Sequence, residues 1–228
     1  MGTRCTLLRP GILAYQHAWE LQRRLAADVR AGAEPTLILL QHPPTYTLGV
    51  RGNEAHLLAG EGAWRARGVD VVRSDRGGDV TFHGPGQIVG YPIINLRRAL
   101  GLGPSAYVRT LEALIIDTLG GFGIAAARFA GRPGVWCGRD KIAAIGVRVS
   151  RGVTTHGFAL NVNTDLSYFQ QIIPCGYSDT GVTSMECVAG RAFDIAAVED
   201  ALATAFAERF GFEMRAGTPA EQAVAIGR

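Results

Sequence analysis

Apolar residues recur at helical spacing over Ala14–Arg30, at Ala14, Ala18, Leu21, Leu25 and Val29, and Gly32 follows the run. This pattern predicts an amphipathic helix. A second helix is predicted over Pro104–Leu119, opened by Pro104 and Ser105 and closed by Gly120-Gly121. A third spans Phe193–Phe210, with Asp194 as N-cap and Gly211 as stop. Short apolar or alternating runs read as strands: Thr6–Leu8, Thr36–Leu40, Thr45–Val50, Val69–Arg73, Asp79–His83, Gln87–Tyr91 and Ile124–Ala127. Ala63–Arg67 reads as a short helix. Lys141–Ser150 and Val153–Val162 face each other across Arg151-Gly152, as the arms of a hairpin do. Gly131–Gly138 reads as a Gly/Pro loop carrying Trp136 and Cys137, and the residues from about 211 to 228 as a weakly ordered tail. Strands and helices interleave without a βαβ rhythm, a repeat or a linker. The expected fold is α+β, a mixed β-sheet flanked by helices in one domain, 1–228.

Composition narrows the class. The chain has 228 residues, 47% of them hydrophobic, enough for one substantial core. A net charge of +3, without runs of like charge, argues against a nucleic-acid-binding tail and suits an acidic protein partner. No apolar stretch reaches about 18 residues, and the N-terminus lacks the apolar segment of a secretory signal, so a cytoplasmic protein without a membrane span is expected. The four cysteines, at 5, 137, 175 and 187, have no metal-ligand spacing and fit free thiols in a reducing compartment. Neither a metal nor a cofactor is expected.

The densest motif is Arg76–Tyr91, RGGDVTFHGPGQIVGY. Gly77 and Gly78 permit close approach of a ligand, Asp79–His83 alternates as a short strand, and Gly84-Pro85-Gly86 is a tight turn. Arg76 and His83 are then expected at the mouth of a glycine-lined hairpin. On these residues alone, an edge hairpin with a surface histidine is an equal reading. His42 ends a strand at Gln41-His42-Pro43-Pro44, and a structural role fits it better than a site role.

Cys175 lies between Pro174 and Gly176, on a turn that suits an accessible thiol, although most lone cysteines are inert. Cys137 is its nearest rival. Lys141 opens an apolar strand, where a lysine is usually an exposed end. Turned inward beside a thiol, it can lower the thiol pKa as an ammonium or accept a proton as an amine. His156-Gly157 interrupts the returning strand, and Gly157 leaves room for a ligand or another backbone.

In this order, HPPTYTLG, RGGDVTFHGPGQIVGY, GRDKIAAIGVRV, THGFALNVNTDL and IIPCG resemble the octanoyl-[acyl-carrier-protein]:protein N-octanoyltransferases of lipoate biosynthesis, over about Tyr15–Val188. The resemblance implies a fold similar to lipoate and biotin protein ligases. It implies Cys175 as nucleophile and Lys141 as its catalytic partner. It implies acyl-binding residues at Arg76, Gly77, Gly78, Asp79, Val80, Thr81, Phe82 and His83, at Ala144, Ile145 and Gly146, and at Gly157, Phe158 and Ala159. The small residues Gly77, Gly78, Ala144 and Gly146 would wall an acyl tunnel. The implied donor is octanoyl-acyl carrier protein. The implied acceptors are lipoyl domains of 2-oxoacid dehydrogenase E2 subunits and the glycine-cleavage H protein, met by a monomeric enzyme without ATP. An ATP-dependent ligase on the same fold is the alternative. Further rivals are a thiol hydrolase using Cys175 with His83 or His156, and a non-catalytic acyl-binding module.

Overall fold

Leu37, Ile38, Leu39 and Leu40 follow one another without polar alternation because helices cover both faces of the sheet they enter. Leu37 and Leu39 meet one helix layer, and Ile38 and Leu40 meet the other. The computed structural model describes residues 3–173 and 180–225. In chain order the elements are β1 (Thr3–Ile12), α1 (Tyr15–Ala31), β2 (Thr36–Gln41), β3 (Thr45–Leu48), α2 (Glu61–Ala66), β4 (Asp70–Arg73), β5 (Val80–His83) and β6 (Gln87–Ile93). There follow α3 (Pro104–Gly121), β7 (Ala127–Phe129), β8 (Arg132–Cys137), β9 (Asp140–Ser150), β10 (Val153–Asn161), β11 (Gly181–Val182), α4 (Met185–Ala189), α5 (Ile195–Phe210), β12 (Phe212–Ala216) and α6 (Pro219–Ala225). Short 3₁₀ turns lie at Glu54–His56 and Leu166–Gln171, and a single π turn at Leu96–Leu100.

The architecture is α+β, with a mixed sheet between helix layers. The large sheet runs β12-β1-β2-β6-β10-β9-β8-β7, and β11 adds to β9. Pairing of β1 with β12 and β2, and of β11 with β9, is parallel, and the other pairs are antiparallel. Helices α3 and α5 cover one face through Tyr107, Leu111, Ile115, Leu202 and Phe206, and α1 covers the other through Ala18, Leu21 and Val29. A second sheet, β4-β3-β5, carries its own small core of Tyr46, Leu48, Val69, Val80, Phe82 and Ile172.

Four expectations change. First, β5 and β6 are not arms of one hairpin. β5 pairs with β3 in the small sheet, whereas β6 pairs with β2 and β10 in the large one, so Gly84-Pro85-Gly86 carries the chain between sheets. Gly86 takes φ +80°, and a Cβ there would lie 2.4 Å from the Asn163 carbonyl oxygen, so only glycine fits the crossing. Second, residues 132–137 form β8. A bulge between Val135 and Trp136 accommodates the glycine and proline that suggested a loop. Third, Ile124–Ala127 is not a strand: Ile124 packs into the core outside any element, and the strand begins at Ala127. Fourth, residues 212–225 are built into the fold. β12 completes the exposed edge of β1, Phe212 stacks on Phe206, and Gln222 of α6 accepts a hydrogen bond from the Arg9 amide. The hairpin of β9 and β10, the three long helices and the Asp194 cap stand as expected.

Candidate active site

A cavity of about 430 Å³ opens between the two sheets. Lys141, Arg76, Gly77, Gly78, Asp79, Thr81, His83, Ala144, Ile145, Gly146, Gly157, Phe158 and Ala159 all line it. Val80 and Phe82 do not. Strand alternation turns Thr81 and His83 toward the cavity and sends Val80 and Phe82 into the small core with Leu48 and Tyr46. Cys175 lies outside the described residues. Val89 and Tyr91, from the motif Arg76–Tyr91, Val147 and His156 also line the cavity, and sequence reasoning did not single out the remaining lining residues Tyr15, Arg51, Val108 and Pro133. These four come from separate stretches and carry no local pattern.

The loop 76–79 is held as a rigid wall. The Arg76 guanidinium is buried and donates to Thr47 Oγ1 (2.9 Å), to the Thr47 and Asp79 carbonyls (2.6 Å each) and to the Gly77 carbonyl (3.0 Å). The Asp79 carboxylate accepts from the Asn53 amide (3.0 Å) and His56 Nδ1 (2.5 Å). Gly77 donates its amide to the Val147 carbonyl at 3.2 Å. The glycines serve these backbone contacts. A Cβ at Gly77 would lie 2.7 Å from the Val147 oxygen, one at Gly146 2.8 Å from the Gly77 oxygen, and one at Gly157 2.1 Å from the Gly90 oxygen. Gly77 and Gly146 are therefore seats for a neighbouring backbone rather than walls sized to a ligand, and the space at Gly157 is filled by strand β6.

His83 is buried, not on the surface. Gln87 donates its amide to the Phe82 carbonyl (3.1 Å) and Asn161 Oδ1 (2.9 Å), which leaves Gln87 Oε1 to accept from His83 Nδ1 (2.8 Å). His83 Nε2 then accepts from the Thr47 hydroxyl at 3.3 Å. Asn161 donates onward to the Thr183 carbonyl (2.9 Å), and the Thr183 amide donates to the Lys141 carbonyl (3.0 Å). A continuous polar chain thus runs Arg76–Thr47–His83–Gln87–Asn161–Thr183 and ends at the backbone of Lys141. Burial holds the His83 pKa well below the ordinary histidine range, so its ring is a neutral tie.

Beneath the cavity, His42 donates from Nδ1 to the Leu13 carbonyl (2.6 Å), which fixes Nε2 as acceptor for the Tyr91 hydroxyl (2.8 Å). Burial pushes the His42 pKa down to about 4. Its role is structural, as expected. His156 stands at φ 55°, a left-handed conformation uncommon outside glycine. Pairing of Phe158 with Gly90 and of Val153 with Asn95 sets Pro92 opposite His156. Proline offers no ladder donor to the strand there, and the His156 amide donates outside the sheet, to Gln22 Oε1 at 2.6 Å. His156 Nε2 donates to Asp75 at 2.7 Å, a bond that holds the Asp75 carboxyl below its ordinary pKa and ties β10 to the loop before Arg76.

Lys141 is buried rather than an exposed strand end, and its Nζ lies 4.7 Å from the centroid of the Trp136 ring. Strand β11, the first element after residues 174–179, pairs Gly181 with Asp140 and Val182 with Lys141. Among the described residues, no group of three His, Cys, Asp or Glu side chains is placed to hold a metal. Among those residues, too, no helix is long and apolar enough to cross a membrane.

This fold is that of the lipoate and biotin protein ligases. A lipoate-protein ligase A solved with ATP superposes with a TM-score of 0.75 at 18% identity, over 99% of this chain and 93% of that one. The biotin protein ligase of Aquifex aeolicus gives 0.51 at 13% identity, over 90% of this chain and 69% of that one. Residues 14–207 match the lipoyl protein ligase A/B catalytic domain. A Solibacter usitatus protein named octanoyltransferase is 50% identical over 217 residues, covering 93% of this chain and 96% of its own. The chain belongs to the octanoyltransferases within the lipoyl protein ligase A/B catalytic-domain family.

Proposed function

We propose that this acyltransferase moves an octanoyl group from octanoyl-acyl carrier protein to one lysine of a lipoyl domain, through a thioester on Cys175. The acceptors are the lipoyl domains of 2-oxoacid dehydrogenase E2 subunits and the glycine-cleavage H protein. The observation that carries this reading is the cavity between the sheets, with Lys141 in its lining, in a chain half identical to octanoyltransferases. Its volume of about 430 Å³ suits a small acyl group. Burying the seven carbons beyond the octanoyl carbonyl contributes roughly 5–6 kcal/mol at about 0.8 per methylene.

In the first half-reaction the Cys175 thiolate attacks the carrier thioester, its new C–S bond forms, and the carrier thiolate leaves. The Lys141 ammonium, held over the Trp136 ring, supports the thiolate charge. In the second, the acceptor amine attacks the enzyme thioester, a C–N bond replaces the C–S bond, and the amine proton returns to the cysteine sulfur. Exchange between thioesters is nearly neutral and amide formation is downhill, so neither ATP nor a cofactor is required. The chain acts as a monomer in the cytoplasm. As a hydrolase base, His83 would have to release the Thr47 hydroxyl from Nε2.

Intact-protein mass spectrometry tests the proposal, with octanoyl-acyl carrier protein and no ATP, before and after an apo lipoyl domain is added. The expected result is an octanoyl adduct on Cys175 that moves to the domain's lysine. Decay to free acid marks a hydrolase. Modification only with ATP and free octanoate marks a ligase. Carrier binding that never yields an adduct marks a binding module.

A further inference from the structure

The sequence holds 23 lysines and arginines, and Lys141 is its sole lysine. Arginine stays protonated at neutral pH and is a poor acyl acceptor. An enzyme that carries an acyl thioester therefore has one vulnerable side-chain amine of its own, and that amine belongs to a residue lining the acyl cavity. Resting on the thioester reading above, we propose that Trp136 guards Lys141 against self-acylation: the indole face binds the ammonium, which places the cation and withholds Nζ from the acyl group.

The surroundings of Lys141 are built to hold it. Trp136 is 2% exposed and stands opposite Lys141 on the neighbouring strand, with its ring centroid 4.7 Å from Nζ. That separation lies inside the roughly 6 Å range of a cation–π contact. Two residues earlier, the lysine stem lies against Gly134, whose φ of +120° and 2.6 Å approach of a would-be Cβ to the Ala143 carbonyl oxygen reserve that position for glycine. The bulge that creates this arrangement is pinned from α3, where buried Glu112 accepts the Gly134 amide (3.1 Å) and Arg128 Nε (2.9 Å). The indole is fixed in turn by its Nε1 donating to the Arg132 carbonyl (3.3 Å) and by the Phe129 ring at 5.3 Å.

The ring quadrupole attracts only the charged form of the amine, and an ammonium nitrogen has no lone pair to offer. Without the ring, the Lys141 amine can attack the enzyme thioester. A C–N bond forms, the C–S bond breaks, and the amine proton passes to the thiolate. The products are an octanoyl amide on Lys141 and a free Cys175 thiol, with nothing oxidised or reduced. That amide removes the cation and ends catalysis.

The test compares full-length wild type, Trp136→Phe and Trp136→Leu, each held with octanoyl-acyl carrier protein and no acceptor. Adducts are sorted by hydroxylamine, which cleaves the thioester and spares the amide, and the amide is mapped at Lys141. Wild type and Trp136→Phe are expected to keep a labile adduct. Trp136→Leu is expected to gain the Lys141 amide about thirtyfold faster. With acceptor present, Trp136→Leu lowers kcat at unchanged KM, and Trp136→Phe restores it. Equal amide rates in all three proteins overturn the guard. Failure of wild type to form any labile adduct removes the thioester reading, and the guard with it. Lysine labelled with ¹⁵N reports the geometry in wild type alone, should the leucine variant not fold: its single Nζ signal must carry ring-current-shifted protons, and ordinary shifts overturn the proposal.

Discussion

Ala144→Leu and Gly146→Val place added carbon at neighbouring positions of one strand face, and the structure predicts opposite signatures for them. Residues 144 and 146 point to the same side of β9. Ala144 is partly exposed in the cavity lining, so a leucine there extends into space that the acyl chain would occupy. Its three extra carbons displace up to three methylenes of an octanoyl chain. At about 0.8 kcal/mol each, the loss is roughly 2.4 kcal/mol, or about fiftyfold in kcat/KM. A butanoyl donor, too short to reach the displaced region, loses little. Gly146 differs because its Cβ would sit 2.8 Å from the Gly77 carbonyl oxygen. Valine there pushes the glycine loop off β9, strains the Gly77–Val147 hydrogen bond and harms every donor alike. The assay is kcat/KM with octanoyl- and butanoyl-carrier protein for both variants, with melting curves alongside. Equal losses for the two donors in Ala144→Leu refute the wall assignment. A selective octanoyl loss in Gly146→Val refutes the account of that glycine.

Other expectations follow from the same structure. Cys175→Ser and Lys141→Ala should each abolish transfer at unchanged melting temperature, and near-normal turnover in either sinks the assigned roles. His42 is neutral in the fold, with its pKa pushed down to about 4, while the unfolded chain protonates near 6.5. The unfolded state therefore binds the extra proton as pH falls from 6.5 toward 4, and stability declines over that window. At pH 5 the loss relative to pH 7 is about 2 kcal/mol from this residue, read by urea unfolding; a curve as steep in His42→Asn refutes the attribution. Gly157→Ala drives a Cβ to 2.1 Å from the Gly90 oxygen, so calorimetry should show at least 1–3 kcal/mol of destabilisation, and an unchanged transition contradicts the close approach. Deleting residues 212–228 removes Phe212 from the core and uncovers β1, which should cost about 3–5 kcal/mol; an unaltered urea midpoint would show the segment to be dispensable.

The long helices were legible because each is a local periodicity bounded by local signals, such as Asp194 before α5 and Gly211 after it. The β9–β10 hairpin was legible for the same reason, since Arg151-Gly152 encodes its own turn. The family, too, was written in the order of five short motifs. Strand partnership was not written there. Nothing between Arg76 and Tyr91 states that β5 belongs to one sheet and β6 to another, because partners such as Thr45–Leu48 and Phe158–Asn161 lie distant in sequence. That partnership sends Val80 and Phe82 away from the cavity, buries His83 in a polar chain, and turns Gly77, Gly146 and Gly157 into seats for neighbouring backbones. It also sets Trp136 against Lys141, since the two become neighbours only when β8 pairs with β9. The sequence by itself determined which residue types can do the chemistry and where the chain bends. The tertiary structure alone decided which of them face one another, because side-chain direction follows from strand pairing and pairing is a property of the whole sheet.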